Sequence, residues 1–538
     1  MAKVRFNLKA SRFPMLSQFF GPSVAIRSNG DTDYIVTDAY SGTAANDELG
    51  IAQPIYMHNV LPVSHGYQSV DYKTVLDNFC NSQGDFDQAI QVEDFNGMNH
   101  LLSPAGGQNF VSSDGEVWRS TQLPTDIRLS GDVSYAYVRQ ETYICYKRQG
   151  VFKYDPISKT LQPVTLIGLD SEQVEGITSA VGIMIAWTAD SIYRSSIEDP
   201  ADFTPSLRTG AGASSLVPLR GQIVAALPHT SGFIVYSTKN AVYAQSTNDL
   251  AYPFVMTEVI GSAGIISARH VASDTTFSTH YAWTKAGLQS VQNNQAKLIF
   301  PELTDLLTCG YIEDYINSFD GESRTGTDLE SPMHQVVHQL SNSNCPNNLI
   351  KLPHSTPLEI RVNVIAARYL CISYGIQELS HVVVYDLALA RFGKLRIPHR
   401  DIFTYERPES FGDDNARKAF GFLQRDGSIK LLDFSVNSPA TDSVLLFGRI
   451  SLNRAAMTIL DKVMLGGLFD TSGKLTMNIM VSLDGMTTLE DIYAVPFHAT
   501  ESMQHYGLRL TGMNHVLKLI GTFSLASIEA EMYSGGDR

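Results

Sequence analysis

The feature that most constrains the fold of this chain is a short repeat of aromatic and turn residues. Each copy has an aromatic residue, three further residues, a small turn residue and an apolar residue, and one copy is a residue longer. The copies begin at Tyr146, Trp187, Tyr236 and Trp283, so successive starts are 41, 49 and 47 residues apart. Each copy predicts a β-hairpin with a tight turn. Hairpins that recur about every 40–50 residues indicate a β-propeller, with one four-stranded blade per repeat.

A second repeated pattern supports the same architecture. The pair Tyr385-Asp386, followed by Phe392, matches an earlier Tyr-Asp pair at 154–155 that is followed by Leu161. An Asp at the end of a strand caps the turn by accepting hydrogen bonds from backbone N–H groups. The large residues on either side then pack between neighbouring blades. We therefore predict an outer blade hairpin at both positions.

The hairpins also predict the extent of the propeller. They lie near residues 114, 150, 190, 239, 287, 376 and 427, and the long interval before 376 has room for an insertion or a degenerate blade. We predict an all-β chain with a propeller of six to eight blades over residues 61–440. A stretch at about 320–358, rich in Ser, Asn, Gly, Thr and Pro, is interpreted as a polar insertion. Residues 1–60 are interpreted as an N-terminal arm followed by a few strands.

The period is lost after about residue 441. Over residues 475–483 every second residue is apolar and the residues between them are polar except for Met480, and Ile528 and Ala530 alternate with Glu529 and Glu531. Alternation with a period of two is typical of half-buried strands. We therefore predict that residues 441–538 form a separate small C-terminal β-sandwich.

The charge of the chain is unevenly distributed. Lys and Arg number 40 and Asp and Glu 55, which gives a net charge of −15, yet the first 30 residues hold five basic residues and no acidic one. An acidic body argues against binding nucleic acid by neutralising phosphates, although a negative wall lets DNA pass without sticking. The basic residues Lys3, Arg5, Lys9 and Arg12 are candidates for docking on an acidic neighbour. The alternative is a solvated, frayed terminus.

The remaining composition predicts the folding environment. The five cysteines are isolated and none forms a C-x-x-C pair, which is typical of reduced thiols in a cytosol. The N-terminus lacks the apolar core of a secretory signal. No apolar stretch is long enough to span a bilayer. We therefore expect a protein without a membrane span.

No catalytic motif matches well enough to predict an enzyme. His334 and His338 have the spacing of a zinc-protease helix, but Gln335 stands where a general base is needed. The Ser-x-Asp-Gly stretches at 112–115 and 482–485 are explained as Asp-Gly hairpin turns. Phosphate-binding and nucleophile-elbow motifs are missing from the sequence. We predict no catalytic, metal-binding or cofactor-binding residues and no cofactor.

The tryptophans allow two interpretations. Trp118, Trp187 and Trp283 all lie in predicted blade hairpins. In such positions an indole ring either packs between blades or is exposed to stack on a sugar. We favour packing between blades, because the repeat places each aromatic residue at the end of an apolar strand.

Three stretches resemble a known family of phage proteins. They are the strand at 381–386 that leads to Phe392, the segment from Glu198 to Ser206 with the glycine-containing run after it, and the Ser482–Gly485 turn. Together with the blade layout, they resemble podovirus tail accessory proteins, also called packaged-DNA stabilisation, tail hub or nozzle proteins. The resemblance extends over residues 100–538 in layout, but it is specific only in these short stretches.

The resemblance implies a structural virion protein of a bacteriophage tail. It implies a ring of copies of this chain, often sixfold in that family, below the portal and adaptor proteins. Such a ring extends or closes the DNA exit channel, and viral DNA passes through its lumen without sequence-specific binding. It implies assembly in the host cytoplasm and a final location in the virion. The alternatives are a non-catalytic propeller that binds protein or glycan, and a glycan-active propeller enzyme.

Overall fold

In the computed structural model of the chain, the following residues are described: 2–6, 24–28, 34–37, 54–64, 66–76, 86–93, 99–105, 108–112, 119–120, 132–214, 218–247, 249, 253–274, 276–308, 311–313, 349–351, 358–375, 378–405, 420–433, 443–447, 450–451, 457–469, 476–482, 490–496, 503–512 and 514–534. Strands β1 to β7 precede the first blade. They are Ala2–Phe6, Val24–Ser28, Tyr34–Thr37, Pro54–His58, Val60–Val63, Gly66–Ser69 and Asp71–Leu76.

The central part of the chain forms consecutive antiparallel blades. Blade 1 is β8 to β11: Ile90–Glu93, Asn99–Ala105, Gln108–Ser112 and Arg119–Ser120. Blade 2 is β12 to β15: Val133–Val138, Glu141–Tyr146, Gly150–Asp155 and Thr160–Val164. Blade 3 is β16 to β19: Gly176–Ala180, Ile183–Trp187, Ile192–Arg194 and Gly212–Ser214. Blade 4 is β20 to β23: Ile223–His229, Gly232–Ser237, Ala241–Ser246 and Phe254–Glu258.

A short helix and a two-stranded sheet separate blade 5 from blade 6. Blade 5 is β24 to β27: Val271–Ser273, His280–Thr284, Gly287–Gln292 and Gln295–Leu298. Helix α1 (Pro301–Thr308) and a two-stranded sheet of β28 (Tyr311–Glu313) and β29 (Leu349–Lys351) come next. Blade 6 is β30 to β33: Glu359–Ile365, Tyr369–Gly375, Leu379–Asp386 and Arg391–His399. Two 3₁₀ turns, Ser171–Gln173 and Ala268–His270, precede the inner strands of blades 3 and 5.

Blade 7 closes the ring with strands from two distant parts of the chain. Its first three strands are β34 to β36: Asp401–Thr404, Phe420–Leu423 and Ile429–Asp433. Its outermost strand is β7, which pairs antiparallel with β36. Closure by a strand from before the first blade leaves no open gap between first and last blade. The chain is therefore a seven-bladed β-propeller, within the predicted range of six to eight.

Seven apolar clusters lie between successive blades and complete the ring. The cluster between blades 3 and 4, for example, includes Trp187 and Phe233. The cluster between blades 7 and 1 includes Phe86, Leu101 and Leu423. Because every blade contacts both neighbours through buried side chains, the core of this propeller is a closed belt of interfaces.

The repeated aromatic residues do pack between blades, but they do not all face the same way. Trp187 pairs with the residue five positions later and packs toward the following blade, as do Tyr236 and Trp283. Tyr146 pairs instead with Gly150, four positions later, and packs toward the preceding blade. Because side chains along a strand alternate between its two faces, an offset of one residue turns the aromatic side chain toward the opposite blade. The first copy of the repeat is therefore displaced by one residue from the others.

The C-terminal strands form two sheets that also contain N-terminal strands. Strands β37 to β44 are Val444–Phe447, Ile450–Ser451, Thr458–Phe469, Thr476–Ser482, Glu490–Pro496, Met503–Gly512, Asn514–Ile520 and Phe523–Ser534. Strand β1 pairs with β44, β2 with β38 and β4 with β37. Strand β40 of one sheet lies next to β42 of the other. Both sheets include strands from before residue 441, so the C-terminal strands predicted as a separate β-sandwich share their sheets with the N-terminal part of the chain. We call these strands, together with β1 to β6, the terminal module.

The terminal module is continuous with the propeller. Strand β33, at the outer edge of blade 6, pairs with β5, and the same sheet continues through β6 and β44 to β39 and β42. Ile528 and Ala530 of β44 are buried, as their alternation with Glu529 and Glu531 predicted. Most of the polar insertion predicted at 320–358 lies outside the described residues, as do the His pair at 334 and 338 and the Asp-Gly turns at 114 and 484.

Candidate functional site

The inner strands of the blades begin at one end of the central channel. Charged residues at or before the inner strands of blades 5, 6, 7, 1 and 2 form one ion network at that end. Asp132, Arg269, Arg361 and Asp401 line a cavity of about 330 Å³, and Asp87 and Glu359 pair with its two arginines. We call the charged side chains the entrance network: Asp87, Asp132, Arg269, Glu359, Arg361 and Asp401.

Arg361 lies at the centre of the entrance network. It is on β30, and only 3% of its side chain is exposed. Its guanidinium donates to the Asp87 carboxylate at 2.9 Å, to the Asp87 carbonyl at 2.8 Å and to Glu359 at 2.8 and 3.0 Å. Asp401 lies 3.9 Å away. A buried Arg needs such partners, because an unpaired cation in the interior is costly. This residue therefore ties blade 6 to blades 7 and 1.

Arg269 extends the entrance network to the other side of the cavity. Its guanidinium donates to the second oxygen of Asp87 at 2.5 Å and lies 3.4 Å from the Asp132 carboxylate. Asp87 therefore bridges two arginines, one from the segment before blade 5 and one from blade 6. The bridge links residues 182 and 274 positions apart in the sequence.

The two carboxylates in the middle of the entrance network have opposite pKa shifts. Burial alone would raise the pKa of Asp87, but hydrogen bonds and charge from Arg269 and Arg361 outweigh it and lower that pKa. Burial raises the pKa of Asp401, against the opposing charge of Arg361 and a hydrogen bond from the Ala89 N–H. Asp401 thus retains a proton at a higher pH than an ordinary aspartate does.

Asp401 also anchors the start of blade 7. Its carboxylate accepts from the backbone N–H of Ala89 at 2.9 Å and from its own neighbour Ile402 at 3.0 Å. Asn363 of blade 6 donates to Asp401 at 3.4 Å and to the Ile402 carbonyl at 2.9 Å. These bonds join three inner strands at the point where the ring closes.

The charged groups of the entrance network are carboxylates and guanidiniums. Ser273 and Thr404 also line the cavity, and the half-buried His270 follows Arg269 in the chain. Across the described residues, no three His, Cys, Asp or Glu side chains come together as a metal site requires. Cys145 and Cys371, the two cysteines among the described residues, are buried, and burial raises the pKa of both thiols.

The residues predicted for docking lie elsewhere. Lys3 and Arg5 are on β1, where their Cα partners on β44 are Glu531 and Glu529. This register places basic positions of one strand opposite acidic positions of the next. Lys9 and Arg12 lie outside the described residues. Docking of this basic segment on another subunit stays a prediction.

The entrance network was missed by sequence reasoning. Its six residues are spread from position 87 to position 401, and no short spacing connects them. What they share in the structure is a position just before or within the first three residues of an inner strand. Trp187 and Trp283 are buried, at 3% and 6% exposure, so neither ring is available to stack on a sugar.

None of the helices in the described part of the chain is long and apolar enough to cross a membrane. No protein-family model and no curated protein matches the chain. Solved structures with a similar fold include YCF48 bound to D1 peptide, with 9% identity and a TM-score of 0.38 over 69% of this chain and 97% of that one. Another is the WD40 β-propeller domain of Doa1, with 11% identity and a TM-score of 0.37 over 68% and 98%.

A third similar structure is virginiamycin B lyase from Staphylococcus aureus, with 8% identity and a TM-score of 0.35 over 68% of this chain and 99% of that one. Likeness at this level carries no conclusion about the ligand, partner or reaction of this chain. The propeller assignment rests on the seven four-stranded sheets and on the closure of blade 7 by β7.

Proposed function

We propose that this chain is a structural, non-catalytic subunit of a bacteriophage tail. In this proposal copies of the chain form a hub or nozzle ring between the head-to-tail connector and the DNA exit, and DNA passes through the lumen of the ring during ejection. The subunit is part of the virion after assembly in the host cytoplasm. The sequence resemblance to podovirus tail accessory proteins motivates this assignment.

The observation that carries the proposal is the sheet that runs from blade 6 into the terminal module. A ten-stranded sheet includes β30 to β33 of the blade, then β5 and β6, and then β44, β39 and β42, with β1 at its side. Backbone hydrogen bonds across such a sheet resist relative movement of its parts. A rigid connection between two modules suits a subunit that has to keep its shape within an assembly.

The entrance network supports a non-catalytic role. Its arginines are paired with carboxylates, including one from a neighbouring blade, and these ion pairs hold the blades of the propeller together. The acidic composition supports a lumen that DNA traverses without adhering. Neither argument requires a substrate.

Ring assembly is tested by mass and by shape. The chain has a mass of 59.2 kDa. Light scattering and native mass spectrometry of the purified full chain are expected to give a multiple of that mass, and negative-stain electron microscopy is expected to show rings. A monomer at every concentration, and also in the presence of portal and adaptor proteins from the same genome, would contradict the proposal.

A pair of charge-reversal variants tests the predicted docking segment. Changing Lys9 and Arg12 to Glu is expected to weaken ring assembly about tenfold or more, because like charges at a contact repel. The matched control changes Arg208 and Arg220 to Glu, two exposed arginines of blades 3 and 4 that form surface ion pairs. Equal loss of assembly in both variants would remove the docking role from the N-terminal segment.

The second candidate is a propeller that binds a protein or a glycan. The cavity of about 330 Å³ at the entrance network favours it, since that volume is at the lower end of known ligand sites (about 300–1,000 Å³). A monomeric chain that retained a ligand through this cavity would support the binding module instead of the tail subunit.

A further inference from the structure

We propose that the cavity at the entrance network is a binding site for an organic cation, a guanidinium or primary ammonium group. The group would be carried by a small molecule or by a side chain of another protein. This inference does not depend on ring assembly. It depends on the charge of the entrance network, four of whose side chains line the cavity, and on the other residues of the cavity wall.

The first argument is the exposure of the charged groups. The carboxylates are partly open, with 43% of the Asp87 side chain, 41% of Asp132 and 36% of Glu359 exposed. The guanidiniums lie behind them, with 16% of Arg269 and 3% of Arg361 exposed. Negative charge is therefore the more exposed part of the network, which favours a cation over an anion. Both guanidiniums already lie against carboxylates, although Nε of Arg269 has no hydrogen-bond partner among the described residues.

The second argument is the balance of charge. Four carboxylates, from Asp87, Asp132, Glu359 and Asp401, surround two guanidiniums. When all four are ionised, two negative charges are left over. Among the described residues the Asp132 carboxylate has the 3.4 Å contact with Arg269 and no other, so it has capacity for another donor. One added cation would bring the cluster closer to neutrality.

The third argument is an aromatic wall. Tyr135 is on the inner strand of blade 2 and lines the cavity, and 51% of the residue is exposed although the channel surrounds it. Asp132 lines the same cavity. An accessible aromatic face attracts a cation through the quadrupole of the ring. Tyr137, two residues later on the same strand, is 50% exposed but does not line the cavity. These two tyrosines are therefore a matched pair for a test.

The fourth argument is a set of buried acceptors without donors. The side-chain amides of Gln88 and Asn363 donate to the carbonyls of Val133 at 3.3 Å and Ile402 at 2.9 Å. Their oxygens, Oε1 of Gln88 and Oδ1 of Asn363, have no hydrogen-bond partner in the part of the chain that the structure describes. Both residues line the cavity. Buried acceptors are nearly always paired, so a ligand or water with several N–H or O–H donors is what this wall lacks.

The test uses isothermal titration calorimetry on the full chain at pH 7 and low salt, with four probes of similar size. n-Butylguanidinium and n-butylammonium are the cations, n-butylurea is the neutral isostere and butyrate is the anion. Saturable binding is expected for at least one cation, at least about tenfold tighter than for the urea, because hydrogen bonds to a charged group contribute roughly 1.5–3 kcal/mol. No binding is expected for butyrate.

Variants locate the site. Asp132→Asn is expected to weaken cation binding about tenfold, and Tyr135→Leu between about twofold and thirtyfold, the range that cation–π contacts give. Tyr135→Phe keeps the ring and is expected to keep the affinity. Tyr137→Leu is the matched control and is expected to change nothing. Circular dichroism and thermal unfolding establish that each variant is folded.

Three results would overturn the proposal: no saturable binding of either cation, equal binding of n-butylurea, or equal loss of affinity in Tyr135→Leu and Tyr137→Leu. The tripeptide acetyl-Gly-Arg-Gly-amide separates the two sources of the cation. If it binds as tightly as n-butylguanidinium, the cavity accepts a side chain presented on a backbone. If only the small cations bind, the site takes a free small molecule.

Discussion

Blades 3 and 4 are joined by an apolar interface with a tryptophan at its centre, whereas blades 6, 7 and 1 are joined by an ion network in addition to their apolar clusters. At the first interface Trp187 packs with Ile192 and Phe233, and all three are at most 3% exposed. At the second, Arg361 and Asp401 link inner strands that begin at positions 359, 401 and 90. The two regions hold the ring together by different means.

The difference follows from where the strands come from. Blades 3 and 4 are adjacent in the sequence, so their contact needs only complementary apolar faces. Blade 7 is assembled from residues 401–433 and from β7, which lie at opposite ends of the propeller segment. Apolar contact has little directional preference, whereas hydrogen-bonded charges accept one arrangement. We infer that the ion network fixes the position of blade 7 during closure.

The largest expected effect is at the tryptophan interface. Trp187→Ala is expected to lower the free energy of unfolding by about 3–5 kcal/mol, because it removes a large buried ring and leaves a cavity. Chemical denaturation measures this change. Ile157→Ala is the control, since Ile157 is 76% exposed and a surface change of this kind stays within about 0.5 kcal/mol. A loss below 1 kcal/mol for Trp187→Ala would mean that the interface does not depend on the ring.

A double variant sharpens that prediction. Gly176 lies opposite Trp187 on the inner strand of blade 3, and a Cβ atom at position 176 would overlap the indole ring. Gly176→Ala is therefore expected to destabilise the wild type strongly and to be much better tolerated beside Trp187→Ala. Additive effects of the two changes would contradict direct packing between them.

The second effect is at the ion network. Arg361→Met is expected to cost about 2–3 kcal/mol at pH 7, below the 3–5 kcal/mol typical of a broken buried pair, because its carboxylate partners are partly hydrated. The arginines lower the pKa of Asp87, so the stability from this pairing is present above the ordinary aspartate pKa and is lost as pH falls through the lower native value. The difference between variant and wild type should therefore shrink below about pH 4. A constant difference would argue against a charge effect.

The sequence predicted the apolar part of this comparison better than the charged part. The hairpin period predicted the propeller, since strand alternation and turn residues are local properties that a sequence displays directly. The packing of Trp187 and Trp283 between blades was predicted correctly. The sequence did not indicate that Tyr146 faces the preceding blade, because its hairpin pairs one residue earlier than the other three and a one-residue offset reverses the face.

The ion network and the pairing of the chain ends were beyond a single sequence. Asp87 and Arg361 are 274 residues apart, and nothing local to either residue indicates the other. The same holds for β1 and β44, which are at opposite ends of the chain. Long-range pairs of this kind depend on the ring geometry, which must be known before they can be assigned.

The third effect is the pH dependence of stability that comes from a buried histidine outside the two interfaces compared above. His280 of blade 5 lies between blades 4 and 5, and burial lowers its pKa to about 4. The unfolded chain binds a proton here between about pH 6.5 and 4 while the native state does not, so stability falls as pH is lowered through that range. From pH 7 to 5 this one group contributes a loss of about 2 kcal/mol. His280→Gln is expected to reduce the slope of stability against pH by up to one proton, and parallel curves would contradict the assignment.

The smallest effect tests whether an inter-blade contact outside the ion network also depends on a directed hydrogen bond. The Tyr236 hydroxyl lies 3.0 Å from Nδ1 of His280, and Nε2 of the same ring lies 2.9 Å from the Pro228 carbonyl. A carbonyl only accepts, so Nε2 donates and Nδ1 must accept from the tyrosine. Tyr236→Phe is expected to cost about 1 kcal/mol.

Tyr154→Phe is the matched variant for that bond, because Tyr154 of blade 2 lies 3.0 Å from Nδ1 of His100 in blade 1. A double-mutant cycle between Tyr236→Phe and His280→Gln should show a coupling energy of about 0.5 kcal/mol or more. Coupling near zero would leave shape complementarity alone at this interface. Hydrogen bonds would then contribute to blade contacts only where blades 6, 7 and 1 meet. The apolar interfaces and the ion network would differ in kind, not only in degree.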